Sequence, residues 1–181
     1  TYRRRQVGPA ELVALRAAYS AAENGDIDRL STIDGRLSAV TLAAEFRESA
    51  QQSGDRLLSL QTELREDDRL QAYADRVADD DAPGNYAVVL GVATAVAGVP
   101  VREACLLCCH GFLTGLLGAA QRLMSLGHTD AQRILDDLRP AMSAAVADSE
   151  DRDVDAMTPF APLVDVLAAD HERADRRLFA S

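Results

Sequence analysis

An all-α, single-domain helical bundle is what this sequence predicts, and three observations predict it. Apolar residues make up 48% of the chain and are mostly Ala and Leu, while aromatics reach only 4% and Trp is absent. Ala and Leu are strong helix formers, and the β-branched and aromatic residues that fill strands are sparse outside short runs. In segment after segment, apolar residues recur every three or four positions, the spacing of one helix face. A chain of 181 residues can also bury about 70% of its unfolded surface, enough for one core without disulfides or a structural metal. Residues 1–181 therefore form one domain of about seven or eight helices.

The elements follow in order. Pro9 occupies a first-helical-residue position, ahead of Leu12, Leu15, Tyr19 and Ala22 on one face, with Gly25 as the stop. Asp26 caps a second helix carrying Ile27, Leu30, Ile33 and Leu37. From Thr41 the stripe Leu42, Phe46, Ser49, Ser53, Leu57, Leu60 and Leu64 predicts a long helix whose two serines mark a close neighbour. Leu70, Tyr73 and Val77 give a fourth helix, followed by a loop from Asp79 to Gly84. Tyr86 to Ala97 is apolar nearly all round; its valines allow a strand, but its length favours a central helix.

Gly98 ends that helix, and Pro100 opens another that can run to Leu126. Gly111, Gly115 and Gly118 stack one above another along it, with Arg122 on the same line. Each glycine costs a helix about 1 kcal/mol relative to Ala, so the row predicts close approach by another helix, within the chain or across a dimer. Thr129 and Gln132 form a capping box for a helix reaching about Ala147. An acidic loop over 148–161, a short helix from Leu163 to about Arg173 and a tail over 174–181 complete the chain. Leu178 and Phe179 are large apolar residues in a tail that must dock on its own surface or on another's.

Composition excludes several functions. A net charge of −10 repels phosphate backbones, so neither nucleic acid nor an anionic membrane is an expected partner. The sequence contains no lysine, which removes the P-loop and Schiff-base chemistries. Any nucleotide hydrolysis in its biology falls to a partner. Gly98, Pro100, Arg102 and Glu103 break the apolar run from Tyr86 to Ala120 into pieces shorter than the roughly 18–20 residues of a membrane span. Three cysteines and no signal-peptide pattern suit a reducing cytosol.

Two clusters invite chemistry. Cys105, Cys108 and Cys109 share a helix face while His110 points about 100° away. Tetrahedral sites draw ligands from two segments, and His128 and His171 stand alone. Core packing is the favoured reading, with a thiol or metal-dependent enzyme as the rival. Asp165, Asp170, His171 and Glu172 could serve acid–base work, yet no nucleophile elbow, phosphate loop or H-E-x-x-H motif accompanies them.

Four stretches together carry a resemblance. Arg47-Glu48-Ser49 with Gly54 and Leu57-Leu58 comes first, then Asn85-Tyr86-Ala87-Val88 through Gly91 and Gly98-Val99-Pro100. Gln121-Arg122-Leu123 with Gly127-His128-Thr129-Asp130-Ala131-Gln132 follows, and Pro162-Leu163, Asp165, His171-Glu172 and Arg177-Leu178-Phe179-Ala180-Ser181 close the chain. In order and spacing these resemble the UreF family of urease accessory proteins. Departures include Ser125 for a Pro, Ala131 for a Gly, Gly115 for an Asn, and His110 where Tyr is common. The family's opening Leu-Pro-x-Gly-Gly-Phe segment has no counterpart, so a longer protein is expected.

The resemblance implies a cytoplasmic homodimer without catalytic residues or a cofactor of its own. Such a protein binds UreD (UreH in some organisms) and recruits the GTPase UreG, which handles GTP. Together they deliver nickel to apo-urease. By position, His110, Gly111, Gly115, Gly118 and Arg122, with Thr129, Asp130 and Gln132, would face the dimer mate or UreG. His171, Glu172, Arg177, Leu178, Phe179 and Ser181 would order on UreD. A helical adaptor with no nickel role is the remaining alternative.

Overall fold

A computed structural model describes residues 10–157. Among them are seven α-helices, no strand and one short 3-10 turn. They are α1 (Glu11–Glu23), α2 (Ile27–Val40), α3 (Ala44–Leu64), α4 (Asp68–Ala78), α5 (Tyr86–Val96), α6 (Val101–Leu123) and α7 (His128–Asp148), with the turn at Val154–Ala156. The all-α expectation holds. The predicted start at Pro9, the Leu163–Arg173 helix and the 174–181 tail lie outside the described residues.

α5 is the hub. Every residue from Ala87 to Ala95 is buried, as an uncharged helix with no polar face requires. It packs against α1, α3 and α6, and α1 faces it with Leu12, Leu15, Ala18 and Ala22, all fully buried. Gly91 sets the α1 spacing: a Cβ there would come 2.6 Å from the Leu15 carbonyl oxygen. Asp26 caps α2 as predicted, accepting from the Arg29 amide at 3.0 Å.

A buried carboxylate joins α2 to the loop before α5. Asp34 Oδ2 accepts from the Tyr73 hydroxyl at 2.7 Å and the Gly84 amide at 2.6 Å. Its Oδ1 accepts from the Asn85 amide at 3.0 Å and the Asn85 side-chain Nδ2 at 2.7 Å. Burial pushes the Asp34 carboxyl above its usual range, against the pull of these four donors. Asn85 also reaches Ser38 Oγ at 2.8 Å, so it stands at the N-cap of α5 without capping it by side chain.

The α3 stripe corrects an expectation. Leu42, Phe46, Leu60 and Leu64 are exposed, as are Ser49 and Ser53. The inward side carries Gly54 and Leu58 instead, and of the stripe Leu57 is half-buried against the core. A Cβ on Gly54 would collide with the Gly84 carbonyl oxygen and lie 2.8 Å from the Tyr86 amide nitrogen. Backbone clearance at one glycine therefore decided which side packs, and it lies about 80–100° round the helix from the apolar stripe.

At the far end, Arg16 of α1 holds the C-terminus of α7, donating to Val146 O at 3.0 Å and Ser149 Oγ at 2.9 Å. The acidic residues after Asp148 are exposed, while Val154 and Met157 are buried and Asp155 pairs with Arg36. Substituting Gly54→Ala should lower folding stability by about 3 kcal/mol, because the crowded atoms are backbone and cannot rotate away. Urea unfolding read by circular dichroism checks this, and an unchanged midpoint would refute the packing account.

Candidate functional site

α6 and α7 run side by side, joined by residues 124–127, and most of the residues singled out from sequence lie on them. The buried residues of α6 are Ala104, Cys105, Cys108 and Cys109, all in its first half. Beyond them the helix is open. His110, Gly111, Gly115 and Arg122 are exposed and Gly118 is half-buried; Thr129, Asp130 and Gln132 on α7 are exposed as well.

Among the described residues the glycine row makes no close contact. A Cβ on Gly115 would meet nothing within 4 Å, one on Gly111 only the Tyr86 hydroxyl at 3.7 Å, and one on Gly118 only Arg122 at 3.9 Å. Among the described residues the tight spacings fall instead at Gly54 and Gly91. Around the row lies apolar surface that periodicity had not identified as exposed: Leu107, Phe112, Leu116, Leu123 and Met124 are each more than half exposed. A helix apolar all round looks buried by its sequence; which chain covers it is not written there.

The expected capping box does not form. α7 begins at His128, with Gly127 as its N-cap and no side-chain cap bond. Thr129 is thus already inside the helix, two residues past the position from which its hydroxyl could cap. Asp130 supplies negative charge to the first turn and pairs with Arg133 at 3.0 Å. α6 ends at Leu123, three residues before the predicted limit, where Met124 turns extended.

Among the described residues this surface holds a recess of about 70 Å3 lined by Thr114, Leu117, Gly118, Gln121, His128 and Leu135 among others. Small-molecule sites usually span about 300–1,000 Å3. Gln121 Nε2 and His128 Nδ1 meet across it at 3.1 Å. It suits a side chain from a partner better than a substrate.

The cysteines behave as core. All three thiols are free and buried. Burial pushes Cys109 up to about 11, and the Cys108 thiol higher still, so the thiolate that attacks or ligates is scarce near neutrality. His110 points to solvent, away from them. Among the described residues, no three His, Cys, Asp or Glu side chains gather where they could hold a metal ion. α6 corrects one further expectation. It runs unbroken through Arg102 and Glu103, and by length and composition alone it would pass for a membrane span. His171, Glu172, Arg177, Leu178, Phe179 and Ser181 lie outside the described residues.

The fold and this surface define a class: an all-helical protein whose most conspicuous feature, among the described residues, is an exposed apolar helix. Comparison with known proteins makes the class specific. The UreF family profile matches residues 2–139. A urease accessory protein UreF from Trichodesmium erythraeum is 33% identical over 98% of this chain and 77% of its own length. UreF 1 of Brucella melitensis is 31% identical, covering 96% and 72% respectively. A Yersinia enterocolitica UreF is 29% identical over 98% of this chain and 78% of its own. The chain belongs to the UreF family of urease accessory proteins.

Burial of the thiols has a direct consequence. Iodoacetamide at pH 8 should modify the folded chain at least ~10-fold more slowly than the urea-unfolded chain. Mass spectrometry counts the adducts, and equal rates would return the cysteines to consideration as reactive groups.

Proposed function

We propose that this chain is a non-catalytic scaffold in urease maturation. It acts in the cytoplasm as a homodimer, binds UreD (or UreH) and recruits the GTPase UreG, so that nickel passes to apo-urease. The observation that carries the reading is the apolar half of α6 with its exposed Gly111–Gly115 row, which no other part of the described chain covers. Hydrophobic surface of this kind rimmed by polar side chains marks protein docking. Family membership supplies the setting, since the relatives are named urease accessory proteins. The raised thiol pKa values weigh against the thiol-enzyme alternative.

In this reading the second half of α6 and the start of α7 meet the dimer mate or UreG, with His110, Gly111, Gly115, Gly118, Arg122, Thr129, Asp130 and Gln132 at the contact. The tail residues His171, Glu172, Arg177, Leu178, Phe179 and Ser181 meet UreD. Leu178 and Phe179 act as anchors whose burial offsets the ordering entropy of the segment. Nickel is cargo of the assembly and GTP belongs to UreG.

The full-length gene should restore urease activity to cells lacking their own UreF; failure to do so, with the protein expressed and folded, would favour a helical adaptor unrelated to nickel. Deleting Leu178 to Ser181 should abolish co-purification with UreD and leave helical content unchanged. Gly115→Leu separates docking from folding. Because open space surrounds that position, stability should not fall, and the better helix propensity of Leu should raise it by up to about 1 kcal/mol. Self-association or UreG recruitment should weaken by about tenfold. Sedimentation and pull-down read the second effect, and a Leu variant with undiminished binding would remove the glycine row from the interface.

A further inference from the structure

The α6–α7 pair changes character at one level along its length. Gln121 and His128 touch across the pair, and Thr114 and Leu135 share the recess, so each step back along α6 is matched by one step forward along α7. By that register Pro140 of α7 falls opposite Cys109, the last buried residue of α6. Gly111 lies half a turn beyond. On the near side of this level both helices are fixed to the core. Ala104, Cys105, Cys108 and Cys109 are buried on α6, and Val146 and Ser149 on α7, the latter two held by Arg16. On the far side the only buried residues are Ala131 and Leu135, which belong to the α6–α7 contact itself.

Both helices are softened at this boundary. Pro140 has no amide to donate to the Asp136 carbonyl, and its ring crowds that same oxygen, the usual cause of a helix kink. Gly111 removes side-chain restraint from α6 where packing gives no reason for a glycine, since a Cβ would make only ordinary contact with the Tyr86 hydroxyl. Within the described chain, weak points at the same height in two adjacent helices leave the segment beyond them tied to the core only through those points.

We propose that residues 111–139 are an arm that pivots as a unit on the core, about a hinge formed by Gly111 and Pro140. The hinge would let the apolar surface of the arm adjust its angle to whatever docks there. It does not depend on the identity of that partner or on the role in urease maturation.

Spin labels test it on the full chain alone, since the native thiols are buried and the labels go to introduced cysteines. One pair, Arg29→Cys with Arg133→Cys, spans core and arm; a control pair, Arg29→Cys with Ser143→Cys, stays on the core side of Pro140. All three positions are exposed. Double electron–electron resonance should give a broad distance distribution for the first pair and a narrow one for the second. Adding Gly111→Ala and Pro140→Ala, both helix-favouring at solvent-accessible positions, should narrow the first distribution by about twofold and leave the second unchanged. Pro140→Ala alone should narrow it partway. A first pair as narrow as the control, or one whose width survives both alanines in a chain of native helical content, would overturn the hinge.

Discussion

The Asp34 carboxylate holds together parts of the chain that hydrophobic burial alone would leave free to slide. It takes two hydrogen bonds on each oxygen, from α4 through Tyr73 and from the backbone and side chain of the residues that start α5. Loss of that acceptor would strand four donors in a dry interior, each at a cost of about 1–3 kcal/mol. The clamp fixes where Gly84 and Asn85 lie, and Gly54 lets α3 come down directly on that spot. Directional bonds set the register; α1 and α5 then supply the burial.

Apolar surface in this molecule is thereby sorted into two kinds. The faces of α1, α2, α4 and α5 that meet are buried almost completely. The second half of α6 and the outer stripe of α3 are nearly as apolar and stay open. Under the docking role proposed above, the first kind defines the shape and the second is covered by partners. The three buried thiols belong to the first kind, packed in the core.

Much of the fold was legible because helix signals are local. The Asp26 cap, the apolar stripe of α2 and the featureless α5 each announce themselves within about four turns of sequence. The errors came where a distant residue decides. Nothing near Phe46 or Leu60 says that Gly54 will turn α3 by a quarter revolution, since the obstructing oxygen belongs to Gly84, thirty positions away. Thr129 reads as a cap until Gly127 proves able to take that place without any side chain. The site was half legible. Three aligned glycines drew attention to a part of α6 that is largely exposed among the described residues, but Phe112, Leu116 and Met124 were hidden by the habit of assigning apolar residues to a core. Asp34, the clamp, carried no sequence signal beyond being an acid on a helix; its buried partners come from two other segments.

The pairing of α1 with α5 also governs how this chain comes into being. Leu12 and Leu15 leave the ribosome some seventy-five residues ahead of Val88 and Val92, the side chains of the helix that will cover them. At translation rates of about 5–20 residues per second, the nascent chain shows that naked face for several seconds. Such distant pairing slows collapse to the native topology. The newborn polypeptide is then at greatest risk of sticking to its own kind, before α5 emerges to close the core.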